Sequence, residues 1–186
     1  KLLKQLARTL SEDLGKDFDL IWGFGQVGLM GDVADGFKDS GAKCYGYGLW
    51  EFNESECNDI NNCDPMATMM YSESEDCIYH TNGGIADRTY DMIKDCDAIL
   101  VLPCGMGGLL ELSMAYVLKQ SKLMMSKPIV IINAYGYFDL LKDWIDQCSY
   151  SPFGTMSHST KYMSWIRPEL YTRERLAKIV KEELSC

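Results

Sequence analysis

Ala98-Ile99-Leu100-Val101-Leu102 leads directly into Pro103-Cys104-Gly105-Met106-Gly107-Gly108, and the chain continues Leu109-Leu110-Glu111. A short aliphatic run closed by proline and glycine reads as a strand buried on both faces. Helix formers then extend to about residue 122, so the segment is strand, glycine turn, helix. The same order occurs upstream: a strand at 19–22, the turn Gly23-Phe24-Gly25-Gln26-Val27-Gly28, and a helix over 28–39 closed by Gly41. Downstream, a strand at 129–133 precedes a helix over 138–147. A strand at 43–47, helices at 2–14, 85–94 and 174–184, and a short strand at 162–165 complete the pattern. Between about 49 and 82 periodicity vanishes in a stretch rich in Asp, Glu, Asn, Ser and Cys, read as an irregular acidic insertion. It is either a long surface loop or a lid over a site.

Strands buried on both sides and separated by helices predict an α/β fold: a Rossmann-like doubly wound parallel sheet covered by helices on both faces. No linker or repeat divides the chain, so 1–186 is expected to be a single nucleotide-binding domain. Such sheets bind ligands beyond the carboxyl ends of their strands, where both glycine turns fall. The chain opens on a helix and has no initiator Met. A strand upstream of Lys1 is expected, in a chain that is processed or is a piece of a longer one.

Composition narrows the function classes. At 186 residues, 47 % hydrophobic and 24 % charged, the chain has the balance of a folded domain with a core. Lys and Arg number 18 against 27 Asp and Glu, for a net charge of −9. An acidic surface without a basic cluster repels nucleic-acid polymers and anionic membranes, so neither is an expected partner. No apolar run reaches the roughly 18 residues of a membrane span. The eight cysteines follow no signal-peptide pattern and are expected as reduced thiols in the cytoplasm. Cys57, Cys63 and Cys77 match no common zinc spacing, and no metal or cofactor is expected. His80 and His158 have no partners at nucleophile or metal spacing and are assigned to the surface.

The two glycine turns carry the chemistry. Gly23 to Gly28 fits G-x-G-x-x-G between strand and helix, a turn whose amides approach a phosphate at a helix N-terminus. A dinucleotide enzyme needs an acidic residue at the end of the next strand, yet that strand ends Tyr45-Gly46-Tyr47-Gly48. This counts against an NAD-dependent oxidoreductase. In the second turn, glycine amides and the helix dipole form an anion cradle. Glu111 lies four residues past Gly107, roughly 6 Å along the axis. That spacing places a mononucleotide's glycosidic carbon near the carboxylate when its phosphate sits in the cradle. The alternative is a helix-start glutamate that merely complements the dipole.

Together these segments resemble the Lonely Guy family, the cytokinin riboside 5′-monophosphate phosphoribohydrolases. GFGQVGLMG at 23–31 is similar to the family's GGGxxGLMG, and PCGMGGLLE at 103–111 to its PGGxGTxxE. Arg88 stands fifteen positions before Pro103, as the family's helical arginine does. Asp97-Ala98, Lys127-Pro128 and Asn133-Ala134-Tyr135-Gly136-Tyr137-Phe138 resemble its Asp-Ala strand start, KP strand and NxxGYY turn. Phe24 and Cys104 each stand where the family has glycine, Gly108 where it has threonine, Met114 where many members have a second glutamate, and Ala86 where it has histidine.

The resemblance implies a homodimeric hydrolase that cleaves the N-glycosidic bond of an adenosine 5′-monophosphate, with or without an N6-prenyl group. It marks Glu111 and Arg88 as the catalytic pair, Arg88 having the alternative of a surface salt bridge with Asp87 or Asp91. Gly25, Gly105, Met106, Gly107 and Gly108 are the expected substrate and phosphate contacts, and Asp97 a ribose acceptor or a merely structural strand start. Dimerisation is expected through the apolar helix surface of Met114, Tyr116, Val117 and Leu118. The altered cradle leaves a second reading, a nucleotide-binding module of the same fold with weakened catalysis. Cys104 is either a redox-sensitive thiol at a helix N-terminus or a small filler in place of glycine.

Overall fold

The computed structural model describes residues 1–25, 28–49, 69–71, 77–81, 84–123, 127–150 and 162–185, with 49, 69–71, 77–81 and 149–150 described by backbone alone. The chain forms two compact units, Lys1–Cys96 and Asp97–Cys186. Both are α/β, with parallel strands flanked by helices.

The first unit runs α1 (Leu2–Leu14), β1 (Leu20–Trp22), α2 (Met30–Asp39), β2 (Cys44–Leu49), β3 (Met69–Tyr71), β4 (Cys77–Thr81) and α3 (Ile85–Asp95). Its sheet has the order β1-β2-β4-β3, with β3 antiparallel at the edge and the rest parallel. In α1 the buried residues are Ala7, Leu10, Ser11 and Leu14, a single stripe at helical spacing. That stripe packs on α2, where a Cβ at Gly36 would lie 2.6 Å from the Arg8 carbonyl oxygen. Glycine is therefore what lets the two helices approach. Arg8 reaches across to Asp35 at 3.3 Å and to Asp39, but these exposed pairs add little stability.

Several bounds differ from the expected pattern, and two of the differences have a local cause. The helix expected over 28–39 begins at Met30, because Gly28 has φ +73° and turns the chain before it can wind. Within the stretch 49–82, where alternation gave no element, the described residues hold β3 and β4. The strand character of β4 comes from its partner: Ile78 to Thr81 pair in parallel register with Gly46 to Leu49.

Phe24 shows how the first glycine turn accommodates a bulky residue. Its φ of +61° lies in the left-handed region, which costs a side-chain-bearing residue roughly 1–2 kcal/mol. The ring packs onto β2, in the space a Cβ at Gly46 would occupy, and forms a tilted pair with Trp22 at 5.6 Å.

The second unit runs β5 (Ile99–Val101), α4 (Met106–Gln120), β6 (Ile129–Ile132), α5 (Asp139–Tyr150), β7 (Ser164–Ile166) and α6 (Arg173–Leu184). The three strands are parallel in the order β5-β6-β7. All four residues of β6 are at most 2 % exposed. Because successive side chains point to opposite faces, this sheet is covered on both. One cover is α6, which is capped by the Thr172 hydroxyl and buries Leu176, Ala177 and Val180.

After β6 the chain makes a tight turn in which Tyr135 (φ +52°) and Gly136 (φ +73°) are both left-handed. Buried Asn133 spans it: its Oδ1 accepts from the Phe138 amide at 2.8 Å and its Nδ2 donates to Asp139 at 2.7 Å. Arg167, just past β7, donates to both Asp139 oxygens at 2.9 and 2.7 Å. The amide of Tyr135 donates to Glu169 at 3.1 Å. The bonds from Asn133 and Arg167 hold the Asp139 carboxyl below its usual pKa.

Two outcomes are expected. Gly46→Ala forces a methyl into the Phe24 ring and lowers unfolding free energy by about 1–3 kcal/mol; an unchanged urea midpoint would refute the packing. Asp139 stabilises the fold above the ordinary carboxylate range, and that contribution disappears as pH falls through its depressed pKa. Asp139→Ala should therefore melt below the parent at pH 7, with the gap closing in strong acid; a gap independent of pH would refute the role of its charge.

Candidate functional site

The second glycine turn is built by β5 ending at Val101 and α4 starting at Met106. Buried Pro103 stops the strand, and Gly105 is the N-cap in extended conformation. The first intrahelical bond runs from the Leu109 amide to the Gly105 carbonyl at 3.1 Å, so the helix does not itself use the amides of Met106, Gly107 and Gly108. Among the described residues no side chain caps them, and no acid lies in the first turn. Positions 105 to 107 are exposed, Met106 by 79 %, and a Cβ at Gly105 or Gly107 would meet nothing within 4 Å. This is an open, amide-lined, positively polarised end.

Glu111 is half-buried one turn further along α4. Its charge reaches the Cys104 thiol: burial first, then Glu111, pushes that thiol up to about 11. The carboxylate thus acts electrostatically on the turn itself. Cys104 packs over Gly108, where a Cβ would lie 2.6 Å from both the Cys104 Cβ and Sγ. The two departures from the family pattern are one exchange of volume, with sulfur filling at 104 the space that glycine leaves at 108. The filler reading of Cys104 is the one its chemistry supports, since a thiol held protonated is a poor redox sensor.

Arg88 and Gly25 belong to the first unit. Arg88 on α3 is buried, at 8 % exposed. A buried guanidinium needs partners. Its Nη1 donates to the Gly23 carbonyl at 3.4 Å, and its head lies 3.6–3.7 Å from the Cβ position of Gly23. The arginine therefore rests on the first glycine turn at the carboxyl end of β1. Gly25 is buried beneath the end of Met30, 2.6 Å from its Cβ position. Gln26 and Val27 of this turn lie outside the described residues.

The structure does not bring Asp97 to the second turn. It is exposed ahead of β5, at the opposite end of the strand from Pro103, about 20 Å away along extended chain. On the helix expected to dimerise, Tyr116 belongs to the core, in a T-shaped pair with Tyr162 at 6.1 Å, whereas Met106, Leu110 and Val117 are exposed. Cys57, Cys63 and His158 lie outside the described residues, as do the side chains of Cys77 and His80. Among the described residues, Cys44, Cys96, Cys104 and Cys148 are not joined in a disulfide. No helix among the described residues is long and apolar enough to cross a membrane.

One positioning contact escaped the sequence reading. The Tyr137 hydroxyl donates to the Cys104 carbonyl at 2.7 Å, tying the turn after β6 to the turn after β5. The only signal was the NAYGYF segment, which by itself does not say what its tyrosines touch.

Because Glu111 helps keep Cys104 protonated, alkylation by iodoacetamide at pH 8 should be roughly a hundredfold slower than for an ordinary thiol. Glu111→Gln should speed it. Equal rates in parent and variant would show that the carboxylate does not reach the turn.

The "Possible lysine decarboxylase" family model matches residues 30–169, three quarters of the chain. A probable cytokinin riboside 5′-monophosphate phosphoribohydrolase of Oryza sativa subsp. japonica is 26 % identical over 162 residues, 84 % of this chain and 65 % of its own length. A second rice relative is matched over 53 % of its length, so the chain spans between half and two thirds of these rice proteins. The cytokinin riboside 5′-monophosphate phosphoribohydrolase of Mycobacterium tuberculosis (strain ATCC 25618 / H37Rv) is 28 % identical over 78 % of this chain and 70 % of its own. One from Arabidopsis thaliana is 27 % identical over 95 % and 73 %. The X-ray structure of TM1055 superposes with a TM-score of 0.56, covering 97 % of this chain and 88 % of that one at 17 % identity, a likeness of fold. The chain belongs to this "Possible lysine decarboxylase" family, the Lonely Guy family of the phosphoribohydrolases.

Proposed function

We propose that the chain is a nucleoside 5′-monophosphate phosphoribohydrolase acting on adenosine monophosphate or its N6-substituted forms. Water adds to the anomeric carbon, the glycosidic bond to nitrogen breaks, and the base leaves with a proton. The observation that carries this reading is the start of α4, where amides that no described side chain caps, suited to a phosphate, precede by one turn a carboxylate that acts on the same turn. The names of the relatives support the reaction class.

Cleavage builds positive charge on the ribose, and a fixed carboxylate such as Glu111 stabilises that charge or orients water. Arg88 is the second catalytic candidate, with a planar fork of donors suited to phosphate or ribose oxygens. The expected phosphate contacts are Gly105, Met106, Gly107 and Gly108. The exposed apolar residues of α4 support a homodimer, and a reducing, cytoplasmic setting fits the described cysteines 44, 96, 104 and 148, which form no disulfide.

A second reading is favoured by one observation. Gly108 offers no hydroxyl to a phosphate, and Cys104 occupies the space beside it. On that reading the chain binds the nucleotide and does not cleave it.

Chromatography of AMP and N6-substituted AMP incubated with the protein should show free base and ribose 5-phosphate. Glu111→Ala and Arg88→Ala should each lower the rate by at least roughly a hundredfold. Calorimetric binding of AMP without base release would establish the second reading, and neither binding nor release would overturn both.

A further inference from the structure

We propose that Tyr137 is a positioning residue for the candidate site, holding the peptide between Cys104 and Gly105 so that the Gly105 N–H faces the open end of α4. That peptide is planar. The Cys104 carbonyl and the Gly105 amide lie in one plane and point in opposite directions. The Tyr137 hydroxyl fixes the carbonyl with a 2.7 Å hydrogen bond. The amide is thereby turned away from the tyrosine, and it joins the amides of Met106, Gly107 and Gly108 that α4 leaves unused.

Glycine at 105 has no side chain to resist rotation of this peptide, and a Cβ there would meet nothing within 4 Å. An external brace is what gives the turn one orientation, and Tyr137 is well made to provide it. Its backbone belongs to the turn locked by Asn133, Asp139, Arg167 and Glu169. Its ring stands edge-on to Phe138 with centroids 4.9 Å apart. The side chain is otherwise 54 % exposed, so its hydroxyl is dispensable to the core.

This inference rests on reading the turn as the phosphate contact of a nucleotide site, and it deepens that reading by naming what aims the donors. Tyr137→Phe removes one oxygen and leaves the ring. The intact chain should keep its melting temperature, while the Gly105 amide resonance in a ¹⁵N-correlated NMR spectrum moves. KM for AMP should rise roughly tenfold with kcat held within about twofold, as for loss of one ground-state donor. An unmoved Gly105 resonance overturns the proposal, whatever the activity. So does a variant in which melting temperature and kcat fall together, since that is a merely structural role. If the parent releases no base, the hydrolase reading fails separately, and a shifted Gly105 resonance with weakened AMP binding still upholds the brace.

Discussion

A helix that starts on glycine has no cap side chain of its own for its first amides, and the start of α4 in the second unit is such a helix. α4 begins at Met106 with no side-chain cap among the described residues. Unmet donors at a helix start attract negative charge, from a side chain, water or ligand. The nearest carboxylate on the helix, Glu111, is one turn along and acts on the Cys104 thiol. The polarity of the helix start therefore stays available to something from outside.

Keeping such an end both open and ordered requires support from elsewhere. The turn after β6 supplies it through Tyr137, and that turn is itself held by a buried asparagine and by Arg167, whose Nη2 donates to both Asp139 oxygens. Two successive left-handed residues, Tyr135 and Gly136, would be costly in a loose loop. They persist because several directed bonds determine their place. In the first unit, buried Arg88 plays a comparable part beneath the glycine turn after β1.

The order of elements was legible because aliphatic runs and glycine punctuation are local signals: β5 and β6 lie within the segments their residues indicated, and α4 starts inside the expected glycine turn, at Met106. β4 was not, because Cys77 to Thr81 alternates poorly and is a strand by virtue of pairing with β2. At the site, the glycine turn and Glu111 could be read from spacing. The burial of Arg88 and the reach of Tyr137 depend on contacts between residues 65 and 33 positions apart, which no local pattern encodes. Asp97 was read as a ribose acceptor or a structural strand start, and a strand's length separates it from the second turn.

The sulfur of Cys104 and the bare backbone of Gly108 share one pocket of volume, so neither position is free to drift alone. A lineage passing between this arrangement and one with threonine on the helix must cross through an intermediate that is either overfilled or hollow. The overfilled route is the steeper, because sulfur and a new β-carbon cannot share that space. A larger residue at 108 therefore first requires a smaller one at 104. Pairs of this kind keep two versions of one loop apart in sequence even where they do the same work.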